Sequence, residues 1–238
     1  MTRAAIAAGL LWLASIGSAQ AASLQVAPVL VEAVGPALSS SLTLRNSGAH
    51  PVNAQIRVFR WTQADGQERL EPTQDVVASP PAATLRAGGE YLVRIVRVAK
   101  RPVEGEESYR LLVDELPDPA RQANGAVHMV LRQSIPVFFA APTRSGPGIA
   151  WSVTTGGRTS LVARNAGERR LRLSDLVLRD ARGRTVSFGD GLVGYALGRS
   201  AMRWTAPAPA GFGPGPFTIS GQSDIGPIHA TAPAQAAR

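Results

Sequence analysis

From Leu24 onward, apolar side chains return at every second position in short runs: Ile56 and Val58 alternate with Gln55 and Arg57, and Val93 and Ile95 flank Arg94. A period of two belongs to a strand with one face buried and one wet. Clusters of Gly, Pro, Asn and Asp interrupt the pattern about every ten residues, the spacing of a β-sandwich. Ala64-Asp65-Gly66-Gln67 sets Asp-Gly between two such runs and predicts a tight hairpin. Helical periodicity is nearly absent. A second set of strands is expected from Ile149, after the short linker running from Ala140 to Gly146. Within it, Leu171 and Leu173 share one parity while Leu176 and Leu178 share the other, which predicts a bulge around Ser174-Asp175. After Ile228 the pattern gives way to Ala, Pro and Gln, and the tail is expected to fray. The fold class is therefore all-β, two sandwich domains over residues 22–142 and 143–238.

The start of the chain breaks this pattern. Arg3 precedes an apolar run from Ala4 to Ile16, and Ala19-Gln20-Ala21 presents small residues where a signal peptidase reads. Residues 1–21 are expected to be a signal peptide, with a retained anchor as the alternative. The run is short of the roughly 20 apolar residues of a bilayer span. An exported, soluble protein is expected.

Composition narrows the chemistry. The 238 residues contain no cysteine and three histidines, His50, His128 and His229. Disulfides, thiolate metal sites and cysteine nucleophiles are excluded, and little imidazole is left for catalysis or metals. No nucleophile elbow, phosphate-binding loop, His-Glu-x-x-His or dinucleotide fingerprint is present. Glu106-Glu107 and Asp114-Glu115 are neighbours on strands, where adjacent side chains point to opposite faces, so they do not form an acid/base pair. His128 lies between Val127 and Met129 and reads as a solvent-facing strand residue. No enzyme activity, cofactor or metal is expected.

The formal charge of +8 raises the question of nucleic acid. Residues 22–142 set twelve cations against twelve acids, whereas residues 143–238 set twelve arginines against five, so the excess belongs to the second domain. Its arginines alternate with leucines and no stacking aromatics interleave them. Solvent-facing arginines on strands account for the pattern, and no nucleic-acid partner is expected.

One segment is long for a strand. From Ala126 to Phe139 it would span about 45 Å if extended. Val127, Met129 and Leu131 share one parity with Ile135, Val137 and Phe139. Half of that row suffices for a core, which leaves the first three as candidates for an exposed apolar ladder; a core strand shared by both sheets is the alternative. Pro136 cannot donate to a ladder, which suits an edge strand. An open edge invites aggregation unless a partner pairs with it.

An ordered set of motifs carries a family resemblance. Trp61 with Asp65-Gly66, Leu70-Glu71-Pro72-Thr73, Ser79-Pro80-Pro81, Gly88 with Val93-Arg94-Ile95, Tyr109-Arg110-Leu111, Asp114-Glu115-Leu116-Pro117 and Ser134-Ile135-Pro136-Val137-Phe138 cover the first domain. Asn165-Ala166-Gly167, Gly194-Tyr195-Ala196-Leu197 and Trp204 add a looser match in the second. The chain resembles the periplasmic PapD-like pilus-assembly chaperones, especially their archaic, spore-coat-protein-type branch. The resemblance implies two immunoglobulin-like sandwiches in a boomerang, located in the periplasm, with pilin subunits and an outer-membrane usher as partners. Such chaperones lend an edge strand to a pilin that lacks one; here the donor would be Ala126 to Leu131, with Val127, Met129 and Leu131 entering successive pockets.

The family also anchors the pilin's terminal carboxylate with two basic cleft residues. The matching positions here are Pro28 and Pro136, and neither side chain can bind a carboxylate. Arg110, on the strand before the donor, and Arg132, about 13 Å from the matching position, are the candidate replacements. An interdomain arginine expected just before Pro142 is replaced by Ala140-Ala141, which implies a differently held domain angle and a Glu115 without its usual partner. A secreted two-domain binding or adhesion protein without folding activity stays open as the second reading.

Overall fold

A computed structural model describes residues 24–117, 130–142, 145–156, 158–213 and 215–235. The proposed signal peptide, Val127, His128 and Met129 lie outside the described residues. Among the described residues every regular element is a strand, and no helix is long and apolar enough to cross a membrane.

The first strand explains the topology. β1 (Leu24–Ala27) pairs antiparallel with β3 (Ser39–Asn46), after which Pro28 to Leu30 carry the chain across the sandwich. β2 (Val31–Val34) then runs parallel to the end of β10 (Arg132–Ala140), with Val31 opposite Val137 and Val34 opposite Ala140. One sheet has the order β1-β3-β8-β6, using β8 (Glu90–Arg97) and β6 (Val76–Ser79). The other runs β2-β10-β9-β4-β5, built from β9 (Glu106–Leu116), β4 (Val52–Ala64) and β5 (Gln67–Pro72), with β7 (Ala82–Leu85) also against β4. Alternate residues fill the space between them: Leu42 and Leu44, Val93 and Ile95, Leu111 and Val113, Ile135, Val137 and Phe139. Burying each such side chain contributes about 1.5–3 kcal/mol before conformational entropy is set against it.

The hairpin forms where Asp-Gly predicts it. Ala64 pairs with Gln67, and Asp65 and Gly66 have φ of 58° and 77°, the left-handed pair that a type I′ turn requires.

The second set of strands surrounds its own core of Val153, Leu161, Leu173, Phe217 and Ile219, among others. β11 (Ile149–Thr154), β12 (Arg158–Asn165), β16 (Ser200–Pro207) and β19 (Ala234–Gln235) form one sheet in the order β16-β12-β11-β19. The opposite sheet orders β14 (Thr185–Ser187), β13 (Leu171–Arg179), β17 (Phe217–Ser223) and β18 (Gly226–Ala232), with β15 (Leu192–Ala196) also on β13. The predicted bulge is there. The β13–β17 register slips between Ser174 and Val177, Asp175 takes φ 53°, and all four leucines from Leu171 to Leu178 are thereby buried.

The fraying expected after Ile228 is a correction. β18 continues to Ala232, which is buried, and β19 adds a further pairing to β11. Ile228 and Ala232 do alternate toward the core, but alanine carries too little hydropathy to register as a periodic signal.

Candidate functional site

The domains meet through a small aromatic cluster and three polar clamps. Trp61 and Phe138 from the first domain pack against Tyr195 and Leu197 from the second, with Trp61 edge-on to Tyr195 at 5.3 Å between centroids. Gln63 Nε2 donates to the Tyr195 carbonyl at 2.7 Å, while Gln63 Oε1 accepts from the Leu197 N–H at 3.0 Å and the Ser200 hydroxyl at 2.9 Å. Arg170 is the second clamp. Its backbone N–H and Nη1 both bond Glu106, at 3.0 and 2.5 Å, its Nη2 bonds Glu32, and its guanidinium lies 3.6 Å from the Phe138 ring centroid. The third is at the β4–β5 tip, where the Arg203 N–H donates to the Gly66 carbonyl at 3.0 Å. These contacts join the two domains, and just before Pro142, where the resemblance implied an arginine, the Ala141 N–H bonds the Gly105 carbonyl at 2.8 Å. Glu115 has no ion-pair partner among the described residues, and its N–H donates to the Leu131 carbonyl at 2.9 Å.

Beside this junction lies the outward face of the β10-β9-β4 sheet. Odd residues of β9 fill the core, so Arg110, Leu112 and Asp114 face outward, as do Arg57, Phe59 and Trp61 on β4. Register places Arg110 between Pro136 and Phe59. Its guanidinium lies 3.7 Å from the Trp61 ring centroid and 5.8 Å from that of Tyr195, and its nearest carboxylate, Glu68, is 3.8 Å away. Arg110 makes no side-chain hydrogen bond with a described residue. Burial lowers the Arg110 pKa and raises that of Glu68, as expected of two charges pulled from water but only loosely joined.

Arg132 stands differently. It pairs in register with Asp114, four residues along β9 from Arg110, and bonds that carboxylate, which also accepts from Arg57 Nη2 at 2.6 Å. Burial alone would raise the Asp114 pKa, but the bonds from Arg132 and Arg57 outweigh it and hold the carboxyl below its usual range. The structure does not bring the two candidate cations together.

A cation the sequence reading missed lies on the other wall. Arg172 faces the same side as Tyr195, its cross-strand partner on β15, and its side chain has no ion pair among the described residues. The parity shared with Arg170, on the same outward face, was the available signal.

The start of β10 supplies the second feature. β2 joins only from Val137 onward, so Arg132 to Pro136 have no strand on that side among the described residues. The core row also stops there. Ile135 is buried, but Gln133, two residues earlier on the same parity, turns its amide to the Leu24 carbonyl at 2.7 Å and closes the end of the sandwich. Leu131 lies beyond that cap and is half-buried, and Val130 beside it is exposed. An open edge running out from a closed core suits pairing with an extended chain. Among the described residues no group of His, Asp and Glu side chains is arranged to hold a metal ion.

The family model of pili and flagellar-assembly chaperones, PapD N-terminal domain, matches residues 23–144. Among solved structures, the chain is similar to the archaic chaperone–usher Csu pilus pre-assembly complex of CsuC and CsuE from Acinetobacter baumannii, at 24% identity and a TM-score of 0.69, covering 90% of this chain and 100% of that one. It is also similar to the E. coli chaperone DraB (21% identity, TM-score 0.56, covering 87% and 98%). A third likeness is to the Salmonella enterica complex of SafA pilin with the SafB chaperone (17% identity, TM-score 0.60, covering 88% and 96%). These likenesses are ones of fold. No curated protein matches the chain.

Proposed function

The chain belongs to the family of pilus-assembly chaperones built on a PapD N-terminal domain, and on that premise we propose that it captures pilin subunits in the periplasm by donor-strand complementation and hands them to an outer-membrane usher. The observation that carries this reading is the open edge of β10 from Arg132 to Pro136; in the sequence that edge is preceded by the alternating apolar residues Val127, Met129 and Leu131. Three apolar side chains entering a subunit's groove would each contribute about 1.5–3 kcal/mol, and main-chain pairing would add to that. Part of the gain offsets ordering and lost translational freedom, and the surplus is what would hold such a complex without a nucleotide. The mechanism asks for a strand and a cation, and for no catalytic group.

Arg110 is the anchor for the subunit's terminal carboxylate in this reading. No described residue takes a side-chain hydrogen bond from it, aromatic rings pack against it, and Glu68 at 3.8 Å is too loosely placed to satisfy it. A carboxylate can take two parallel N–H bonds from such a fork. Arg172 on the opposite wall adds positive potential to the same opening. With proline at both better-known basic positions, Pro28 and Pro136, this arrangement fits the archaic branch.

Co-expression with a pilin subunit from the same source tests the assignment. A one-to-one periplasmic complex is expected, and Met129→Arg should abolish it. An undiminished complex with that variant would overturn the donor-strand reading.

A further inference from the structure

Three arginines of the second domain, Arg164, Arg199 and Arg203, line a groove beside the β4–β5 hairpin. On β12 the inward residues Thr159, Leu161, Ala163 and Asn165 are buried, so Arg158, Ser160, Val162 and Arg164 face outward. On β16 the outward set includes Ala201, Arg203 and Thr205. Val162 pairs with Arg203 and Arg164 with Ala201, which puts the two arginines on one face of neighbouring strands, one step apart on the diagonal.

The tip of the β4–β5 hairpin closes over one side of this face. Its approach is tight: a Cβ added at Gly66 would lie 2.8 Å from the Arg203 Cβ. Hairpin and sheet enclose a groove of about 560 Å³, lined by Asp65, Arg164, Arg199 and Arg203 over a floor that includes Val162 and Ala201. Arg199 is engaged by Glu168 at 2.5 Å, and Asp65 by Arg69 at 2.6 Å. Arg164 and Arg203 have no ion pair among the described residues. Several cations on one concave wall focus a positive potential that single surface arginines do not.

We propose that this groove binds an acidic, extended segment of a protein partner, with Arg164 and Arg203 taking its carboxylates. A groove bounded along one side by the hairpin suits a single extended chain. The lining contains no aromatic ring, so unstacked bases would find no platform there. The apolar floor suits the methylenes of acidic side chains. The groove shares no lining residue with the Arg110 opening or the β10 edge, so the inference stands apart from subunit capture.

Titration of the full chain with a fluorescent hexaglutamate peptide at low salt provides the test. Saturable one-to-one binding that weakens steeply with salt is expected, reduced roughly tenfold or more by the double variant Arg164→Glu with Arg203→Glu. The milder pair Arg164→Gln with Arg203→Gln should weaken it by less, with the thermal midpoint of both variants read alongside to establish folding. Unsaturable binding, or affinity unchanged in the folded variants, would overturn the proposal. Tighter binding of an oligothymidylate of equal charge, or of phosphatidylglycerol vesicles, would overturn the peptide assignment in favour of nucleic acid or membrane.

Discussion

The Arg110 guanidinium sits over Trp61, 3.7 Å from the ring centroid, so the ring holds the cation in place. A half-buried cation held by a ring rather than by a carboxylate keeps its donors for something else. Arg110→Ala should therefore weaken retention of co-expressed subunits while leaving the thermal midpoint nearly unchanged. Arg110→Lys keeps the charge but loses the planar fork, and should restore only part of the retention. Full rescue by lysine would mean that charge alone matters there. Retention unchanged by alanine would place the anchoring cation elsewhere, and Arg172→Ala would be the next variant to measure.

The Gln133 cap divides one row of side chains into two kinds of work. Ile135 lies inside it and is buried, so Ile135→Ala should cost about 2–5 kcal/mol of first-domain stability by chemical denaturation. Leu131 lies outside it and is half-buried, so Leu131→Ala should cost about 1 kcal/mol or less of stability but lower the yield of subunit complex several-fold. If Leu131→Ala destabilises the free chain as much as Ile135→Ala does, the row is continuous core and the donor reading fails.

Strand parity made much of this legible in the sequence. Asp65-Gly66 and the change of phase across Ser174-Asp175 each announced a local backbone event through the residues that perform it, and both are found. The motif resemblance picked out Arg110, and the structure puts it on the outward face of β9. The resemblance did not reveal what Arg110 rests on, because Trp61 and Tyr195 reach it from 49 and 85 residues away in the sequence. The interdomain clamps share that difficulty: Gln63 reads as one polar residue in a strand, and only the docking of β15 beside it satisfies both ends of its amide. The end of the chain was misread for a different reason, since Ala232 is buried by shape and carries almost no hydropathy.

The clamp at Arg170 should be costly to break from one side. Glu106 and Arg170 side chains are 1% and 5% exposed, and Glu106 also takes Arg169 Nε at 3.1 Å. Glu106→Gln leaves the buried guanidinium without its full counter-charge, and a loss of about 3–5 kcal/mol is expected. The loss should fall on the junction. Small-angle scattering is expected to report a wider spread of domain angles, while Glu32→Gln, at the half-exposed partner, should have a smaller effect. Equal effects of the two variants, or none on the scattering profile, would show that the aromatic cluster alone sets the angle.

Acid should reach the second domain through Asp180. Burial pushes its carboxyl up, but the N–H groups of Gly213, Arg184 and Arg182 and the Arg184 guanidinium all bond it and together hold its pKa down at about 2, against an ordinary value of 3.8. A carboxylate depressed in the folded state adds stability above its unfolded pKa, and that stability is lost as pH falls through the interval toward the folded one. The window is thus about 4 down to about 2. Thermal midpoints measured across it should fall for the parent chain. Asp180→Asn keeps one acceptor, forfeits the charge, starts lower at neutral pH and should show a flatter slope through the same window. Parallel slopes for the two chains would mean that another carboxylate governs the acid response, such as Glu168, which bonds from Ser145 and Arg199 also hold below its usual range.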